Sequence, residues 1–165
     1  MIHPSDVNRL ASLDVIASMQ PIHAMSDMDM TIHYWGERGQ WSYNPRLQLR
    51  QGVVVVFGSD SPIDSFDPFA GIHAAVTRRR ADGSPGAEGW YPEARVTVED
   101  AVRAYTIGPA YAAGMESRLG RLAPGYLADL LVLDRDVFHV EAHDIRNVRV
   151  VATMVGGVWR YGGIA

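Results

Sequence analysis

Five consecutive apolar residues, Val53 to Phe57, constrain the fold more than any other segment of the sequence. A strand that is apolar on both faces is typical of parallel sheets covered by helices on both sides. A loop, Gly58 to Pro62, follows at once, and Asp67-Pro68 then starts a predicted helix over residues 69–79. Strand, loop and helix in this order form a β/α unit, so the sequence predicts an α/β fold.

Further predicted elements lie on both sides of this unit. Residues 22–42 are polar and aromatic without a sustained period, which predicts a long loop with a helical turn. After Gly125 the pattern changes from helical to β, and Gly156-Gly157 predicts a two-residue hairpin turn. The other predicted strands cover 15–19, 129–133, 148–155 and 158–161, and the other predicted helices cover 4–13, 45–51, 98–107 and 110–113.

The composition excludes several classes of function. The 15 basic residues are all Arg and are outnumbered by 19 acidic ones, which argues against a nucleic-acid partner. Without Lys the chain has no Schiff-base chemistry and no carboxylated lysine to bridge two metals, and without Cys it has no thiolate ligand or nucleophile. The longest apolar run is far below the ~20 residues of a membrane span and no signal pattern is present, so we expect a cytoplasmic protein with no membrane partner.

Two polar residues follow predicted strands directly. Asp60 comes just after the strand that ends at Phe57, and His23 comes just after the strand that ends at Met19. Catalytic groups of α/β folds lie at the carboxyl ends of strands, so the two residues together predict a metal site built from separate loops. Two alternatives stay open: Asp60 could cap amides of its own turn, and His23 could be a surface residue.

Other polar residues give weaker signals. His33 and His73 could point toward the same end of the sheet, although His73 lies on a predicted helix and is better explained by packing. Arg78 to Arg80 form either a solvated helix end or a site where one guanidinium holds a carboxylate. His139 and His143 have the spacing of two ligands on a helix, but the acidic residues beside them favour a surface turn.

Several motifs occur in a fixed order along the chain. Gln20-Pro21-Ile22-His23 is followed by Gly58-Ser59-Asp60-Ser61-Pro62, and Leu119 to Leu130 reads Leu-Gly-Arg-Leu-Ala-Pro-Gly-Tyr-Leu-Ala-Asp-Leu. Further matching segments are 67–68, 74–78, 89–90, 99–101, 105–107 and 153–157. Together these motifs resemble the C-terminal part of the metal-dependent amidohydrolases, in particular family 3, the YtcJ-like branch that includes N-substituted formamide deformylases.

The resemblance implies a fold and an activity. Residues 1–118 would be part of a (β/α)₈ barrel, from about strand six to strand eight, and residues 119–165 would be the C-terminal strands of a small composite β-sandwich. The complete enzyme would hold a divalent metal, Zn²⁺, and hydrolyse a C–N bond, other than a peptide bond, in a small amide-type substrate. His23 matches a metal ligand, Asp60 matches a metal ligand and the catalytic base, and Arg78 and Trp90 are expected to contact the substrate.

The chain departs from this pattern in ways that affect its activity. The metal-binding motifs expected from earlier barrel strands are missing, and His3 lies several residues past the ligand position that it could replace. We therefore expect the isolated chain to be inactive and to bind metal weakly or not at all. The alternative is a non-catalytic truncated scaffold or small-molecule-binding protein derived from the family. Unpaired sheet edges also predict a homo-oligomer, or pairing with a missing N-terminal half.

Overall fold

A computed structural model describes residues 1–163. Its first sheet is a parallel pair, β1 (Ala17–Met19) and β2 (Val55–Phe57), in which Ala17 lies opposite Val55 and Met19 lies opposite Phe57. Both predicted strands are confirmed, but each begins two residues later than predicted. The predicted α/β architecture is therefore confirmed around this pair. Two strands do not close a barrel, so the assignment to barrel strands six to eight stays a prediction.

Helices pack against the parallel pair. Three of them begin at residues that the sequence marks as caps: the side chains of Asn44, Asp67 and Thr97 each accept a hydrogen bond from a backbone amide of the first turn, at 2.9–3.0 Å. No helix within residues 1–163 is long and apolar enough to cross a membrane. The α-helices are α1 (Arg9–Ser12), α2 (His23–Ser26), α3 (Met28–Trp35), α4 (Pro45–Arg50), α5 (Pro68–Thr77), α6 (Val98–Tyr105) and α7 (Ile107–Ala112), and 3₁₀ turns cover Pro4–Asp6, Gly36–Trp41, Pro92–Ala94 and Ala142–Asn147.

The long loop predicted for residues 22–42 is wrong, because α2, α3 and the turn Gly36–Trp41 occupy most of it. These helices are short, and short helices depend on packing rather than on intrinsic propensity. Met25 and Met28 are buried against Ala74 and Trp90, so contacts distant in sequence stabilise this region. Hydrophobic periodicity within residues 22–42 does not reveal these distant contacts, so it does not predict the helices.

The break between α6 and α7 also differs from the prediction. It falls at Thr106 rather than at Gly108-Pro109, since Pro109 lies within the first turn of α7, where a proline is tolerated. Gly108 has a separate role. A Cβ atom at this position would lie 2.4 Å from the carbonyl oxygen of Val55, so α7 packs directly on the backbone of β2.

A second sheet follows residue 129. Its three antiparallel strands, in the order β3, β4, β5, are β3 (Leu130–Leu133), β4 (Val150–Val155) and β5 (Val158–Tyr161). Gly156 and Gly157 both have positive φ, as a tight two-residue hairpin requires, so the predicted turn is confirmed. One face of this sheet is apolar and exposed; it carries Leu131, Val151, Val155, Val158 and Tyr161.

One hydrophobic core joins the two sheets. Ile72 and Ala75 of α5 belong to the same buried cluster as Phe57 of β2 and as Ile145, which lies in the turn Ala142–Asn147. The core therefore crosses the boundary predicted between residues 118 and 119. That boundary stays a prediction, and residues 164 and 165, which the second segment includes, lie outside the described residues.

The cap of α6 allows a direct test of this local structure. Replacing Thr97 with Ala removes the oxygen that accepts the amide of Asp100 at 3.0 Å, so we expect the free energy of unfolding to fall by about 1 kcal/mol. Urea denaturation followed by circular dichroism measures it. Thr97→Ser keeps the oxygen and serves as the control; an equal loss in both variants would contradict a capping role.

Candidate active site

The two parallel strands bring His23 and Asp60 to one edge of the first sheet. His23 is the first residue of α2, four positions after β1, and Asp60 lies three positions after β2. The amide of Gly58 donates to the carbonyl of Met19 at 3.1 Å, which continues the pairing beyond the strands. As a result, Nε2 of His23 lies 3.9 Å from Oδ2 of Asp60. The expected proximity of the two side chains is confirmed, and their roles stay predictions.

The imidazole of His23 has an unsatisfied atom. Its Nε2 is buried and has no hydrogen-bond partner among residues 1–163. Asp60 does not satisfy it, because 3.9 Å exceeds the roughly 2.7–3.2 Å of a hydrogen bond. A buried polar atom without a partner costs about 1–3 kcal/mol, which a ligand placed between the two side chains would offset. Nε2 of His23 is thus a buried nitrogen without a partner beside the Asp60 carboxylate.

The loop that carries Asp60 is held in an unusual conformation. Asp60 has a φ of 56°, in the left-handed region that Asp tolerates better than most residues. Its carbonyl accepts the amide of Ile63 at 2.9 Å, but no residue among those described donates a hydrogen bond to its carboxylate. The alternative in which the Asp60 side chain caps its own turn is therefore not what the structure shows. The carboxylate is 56% exposed and available to a ligand.

The loop is also tied to the helix that carries His23. Oγ of Ser26, at the end of α2, donates to Oδ2 of Asp64 at 2.6 Å. This hydrogen bond joins the segment after β1 to the segment after β2, in addition to the pairing of the strands. No sequence motif predicts this hydrogen bond, because Ser26 and Asp64 are ordinary polar residues of two separate segments.

The pair of side chains fits part of a metal site. Zinc binds imidazole nitrogen and carboxylate oxygen at about 2.0–2.2 Å each, and 3.9 Å is less than the sum of two such bonds, so one ion could contact both. Catalytic zinc sites take three protein ligands. Within residues 1–163 no group of three or more His, Cys, Asp or Glu side chains could hold an ion. The described residues therefore supply an incomplete ligand set.

The remaining histidines lie apart from this pair. His3 is exposed and hydrogen-bonds Ser5, and His33 is exposed on α3. His139 contacts Asp136 at 2.7 Å on the surface, and His143 lies in the turn Ala142–Asn147 beside Asp144, which agrees with the predicted surface turn. None of them belongs to a ligand group with His23 and Asp60 among the described residues.

Arg78 and Trp90 lie inside the protein. Arg78 is 1% exposed and Trp90 is 5% exposed. Arg78 donates from Nε to the carbonyl of Trp90 at 3.0 Å and from Nη1 to the carbonyl of Tyr43 at 2.7 Å, and its guanidinium carbon lies 4.9 Å from the Trp90 ring centre. Burial lowers the pKa of Arg78 to about 10. A solvated helix end is therefore wrong for Arg78. That Arg78 and Trp90 bind substrate stays a prediction without support from these contacts.

Comparisons with known proteins agree with the motifs. The amidohydrolase family model matches residues 1–161. The N-substituted formamide deformylase of Arthrobacter pascens is 39% identical over 116 residues, which are 70% of this chain and 21% of that protein. Protein LONG AFTER FAR-RED 3 of Arabidopsis thaliana is 34% identical over 160 residues, which are 96% of this chain and 27% of that protein.

A comparison with solved structures also finds a metal-dependent hydrolase. An uncharacterized metal-dependent hydrolase from Pyrococcus horikoshii superposes with a TM-score of 0.75 and 28% identity, covering 86% of this chain and 29% of that one. The chain thus spans about a quarter of the length of the curated relatives that it matches. These relatives match between 70% and 96% of this chain, and this chain matches only a part of each of them.

Proposed function

Because the chain belongs to the amidohydrolase family, we propose that it carries part of the active site of a metal-dependent hydrolase that cleaves a C–N bond, other than a peptide bond, in a small amide-type substrate. The observation that carries this proposal is the pairing of His23 and Asp60 at 3.9 Å, with Nε2 of His23 buried and unpartnered. Membership of the family suggests metal-dependent hydrolysis. His23 and Asp60 are side chains of the types that bind metals and transfer protons in such reactions.

The two side chains take different roles in the proposed reaction. A divalent metal, when bound, lowers the pKa of a water molecule and polarises the substrate carbonyl. Asp60 accepts a proton from the water at a carboxylate oxygen as the oxygen of the water bonds to the carbonyl carbon. Asp60 then gives this proton to the leaving nitrogen as the C–N bond breaks. Nε2 of His23 would be a ligand of this metal.

We propose further that residues 1–163 are insufficient for catalysis. Two ligands are fewer than the three that catalytic zinc sites take, and the chain spans about a quarter of its curated relatives. The other ligands would come from further sequence, from a second copy or from a separate chain. The same ligand count favours a second candidate function, a non-catalytic scaffold of this family that binds a small molecule at the His23–Asp60 edge.

Metal titration tests the role of the pair. Competition with a chromophoric chelator measures the affinity of the 165-residue chain for Zn²⁺, which we expect to be weak. We expect Asp60→Asn and His23→Gln each to weaken Zn²⁺ binding by about tenfold. Asn tolerates the positive φ of residue 60, so Asp60→Asn removes the charge while it keeps the loop. His139→Gln removes an exposed imidazole outside the site and is the matched control.

The outcomes separate the proposals. Binding that is unchanged in Asp60→Asn and His23→Gln would overturn the assignment of both ligands. Tight, stoichiometric zinc abolished by Asp60→Asn would instead show that another residue, such as His3 or His33, completes the site. We expect no hydrolysis of an N-substituted formamide by this chain alone; turnover by the purified chain, lost in Asp60→Asn, would contradict the proposed insufficiency.

A further inference from the structure

A cleft elsewhere in the structure contains neither His23 nor Asp60 in its lining. It has a volume of about 250 Å³ and lies between α2, α5 and the turn Ala142–Asn147. Apolar side chains of Ile22, Met25 and Ala70 form part of its wall. The polar part consists of Ser26, His73, Arg79, Arg80 and Arg146, so no carboxylate among residues 1–163 lines the cleft. A cleft with three guanidinium groups and no acid in its wall favours a negatively charged ligand.

Two of the three arginines have no acidic partner. Arg80 donates to Oδ2 of Asp29 at 2.8 Å and to the carbonyl of Met25 at 3.0 Å, so its charge is compensated and its position is fixed. Arg79 and Arg146, by contrast, have no carboxylate within 4.0 Å in the part of the chain that the structure describes. Nε of Arg79 donates to the carbonyl of Gly83 at 3.2 Å, which holds this guanidinium in place. The uncompensated charge in the cleft therefore belongs to Arg79 and Arg146.

His73 supplies a buried polar group in the same wall. It is 6% exposed, it lines the cleft, and no residue among those described hydrogen-bonds to its ring. Burial, together with the positive charges of Arg146, Arg79 and His143, lowers the pKa of His73 to about 4. The ring is therefore neutral at pH 7 and offers one N–H donor without a protein partner. An anion in the cleft would accept this hydrogen bond.

We propose that this cleft binds a small organic carboxylate, with its anionic end between Arg79 and Arg146 and its apolar part against Ile22, Met25 and Ala70. A guanidinium group matches the two oxygens of a carboxylate. The apolar wall favours a ligand with a hydrocarbon part over inorganic phosphate. About 250 Å³ is below the roughly 300–1,000 Å³ of drug-sized pockets, so a single-ring acid such as benzoate is a ligand of suitable size.

Isothermal titration calorimetry with benzoate tests this proposal at constant ionic strength set by chloride. We expect saturable binding of one benzoate per chain, weakened by about tenfold in Arg146→Gln and in Arg79→Gln, because each loses a charged hydrogen bond to the ligand. Arg121→Gln makes the same charge change at an exposed residue outside the cleft and should leave binding unchanged. Circular dichroism of each variant shows whether it is folded. Because Arg146 is exposed, we expect Arg146→Gln to leave the core undisturbed.

Three results would overturn the assignment. Benzoate that gives no saturable heat would exclude the site, and an equal loss in Arg121→Gln would show that only the overall charge matters. Inorganic phosphate that binds as tightly as benzoate would contradict the role of the apolar wall. Because neither His23 nor Asp60 lines the cleft, Asp60→Asn should bind benzoate as the wild type does, so this proposal and the proposed metal site fail independently.

Discussion

Replacing Arg78 with Ala is expected to lower the free energy of unfolding by about 3–5 kcal/mol. The side chain joins three segments, because its guanidinium donates to the carbonyls of Trp90 and Tyr43 from the end of α5. Each hydrogen bond from a charged donor contributes about 1.5–3 kcal/mol, and contact with the Trp90 ring adds about 0.5–2 kcal/mol. The truncation also leaves both carbonyls without this donor and opens a cavity. Urea denaturation followed by tryptophan fluorescence measures the change.

The variant Arg78→Lys separates the contribution of the planar guanidinium to stability from the contribution of its positive charge. Lysine keeps the positive charge but lacks the planar fork that reaches both carbonyls, so we expect it to recover less than half of the loss. A loss below about 1 kcal/mol in Arg78→Ala would show that these contacts contribute little net stability.

Replacing Ile145 with Ala is expected to lower the free energy of unfolding by about 3 kcal/mol, within the range of roughly 2–5 kcal/mol for such core truncations. Ile145 is fully buried in the turn Ala142–Asn147 and belongs to the core that includes Ile72 of α5 and Phe57 of β2. Ile145→Val should cost about 1 kcal/mol, since it removes only one methylene group. Chemical denaturation, followed by circular dichroism and by fluorescence, gives both values.

The number of unfolding transitions tests whether the chain unfolds as one unit. Because the core crosses residue 118, we expect one cooperative transition that Ile145→Ala moves as a whole. Ile63→Ala, at a side chain that is 76% exposed, should leave the midpoint unchanged. Two separate transitions, with only one shifted by Ile145→Ala, would show that residues 1–118 and the following segment unfold as independent units.

Elements with local signals could be predicted from the sequence. The strand at Val55–Phe57, the turn at Gly156-Gly157 and the helix starts at Asn44 and Thr97 depend on residues within a few positions of each other. The helices within residues 22–42 do not, because their buried methionines pack on Ala74 and Trp90 from distant parts of the chain. The region that could not be predicted is therefore the one whose structure depends most on tertiary contacts.

The candidate site shows the same distinction. His23 and Asp60 could be predicted to lie close together, since the carboxyl ends of parallel strands meet at one edge of a sheet. The inward direction of Arg78 could not be predicted. It depends on the left-handed conformation of Arg78 itself, with a φ of 56° at the end of α5, where no glycine marks the position. The cleft beside His73 was also missed, because its walls come from three separate segments.

The hydrogen bond between Ser26 and Asp64 has a consequence for the motions of the site. It links the segment that carries His23 to the loop that carries Asp60, so we expect thermal fluctuations to displace the two groups together rather than independently. Their separation then varies less than the position of either one. A ligand that orders two independent loops loses affinity because the loops lose conformational entropy on binding. Here folding has already ordered the two segments, so this entropy is lost before the ligand binds. The edge of the sheet is in this sense preorganised, and ligand binding requires little further ordering of the backbone.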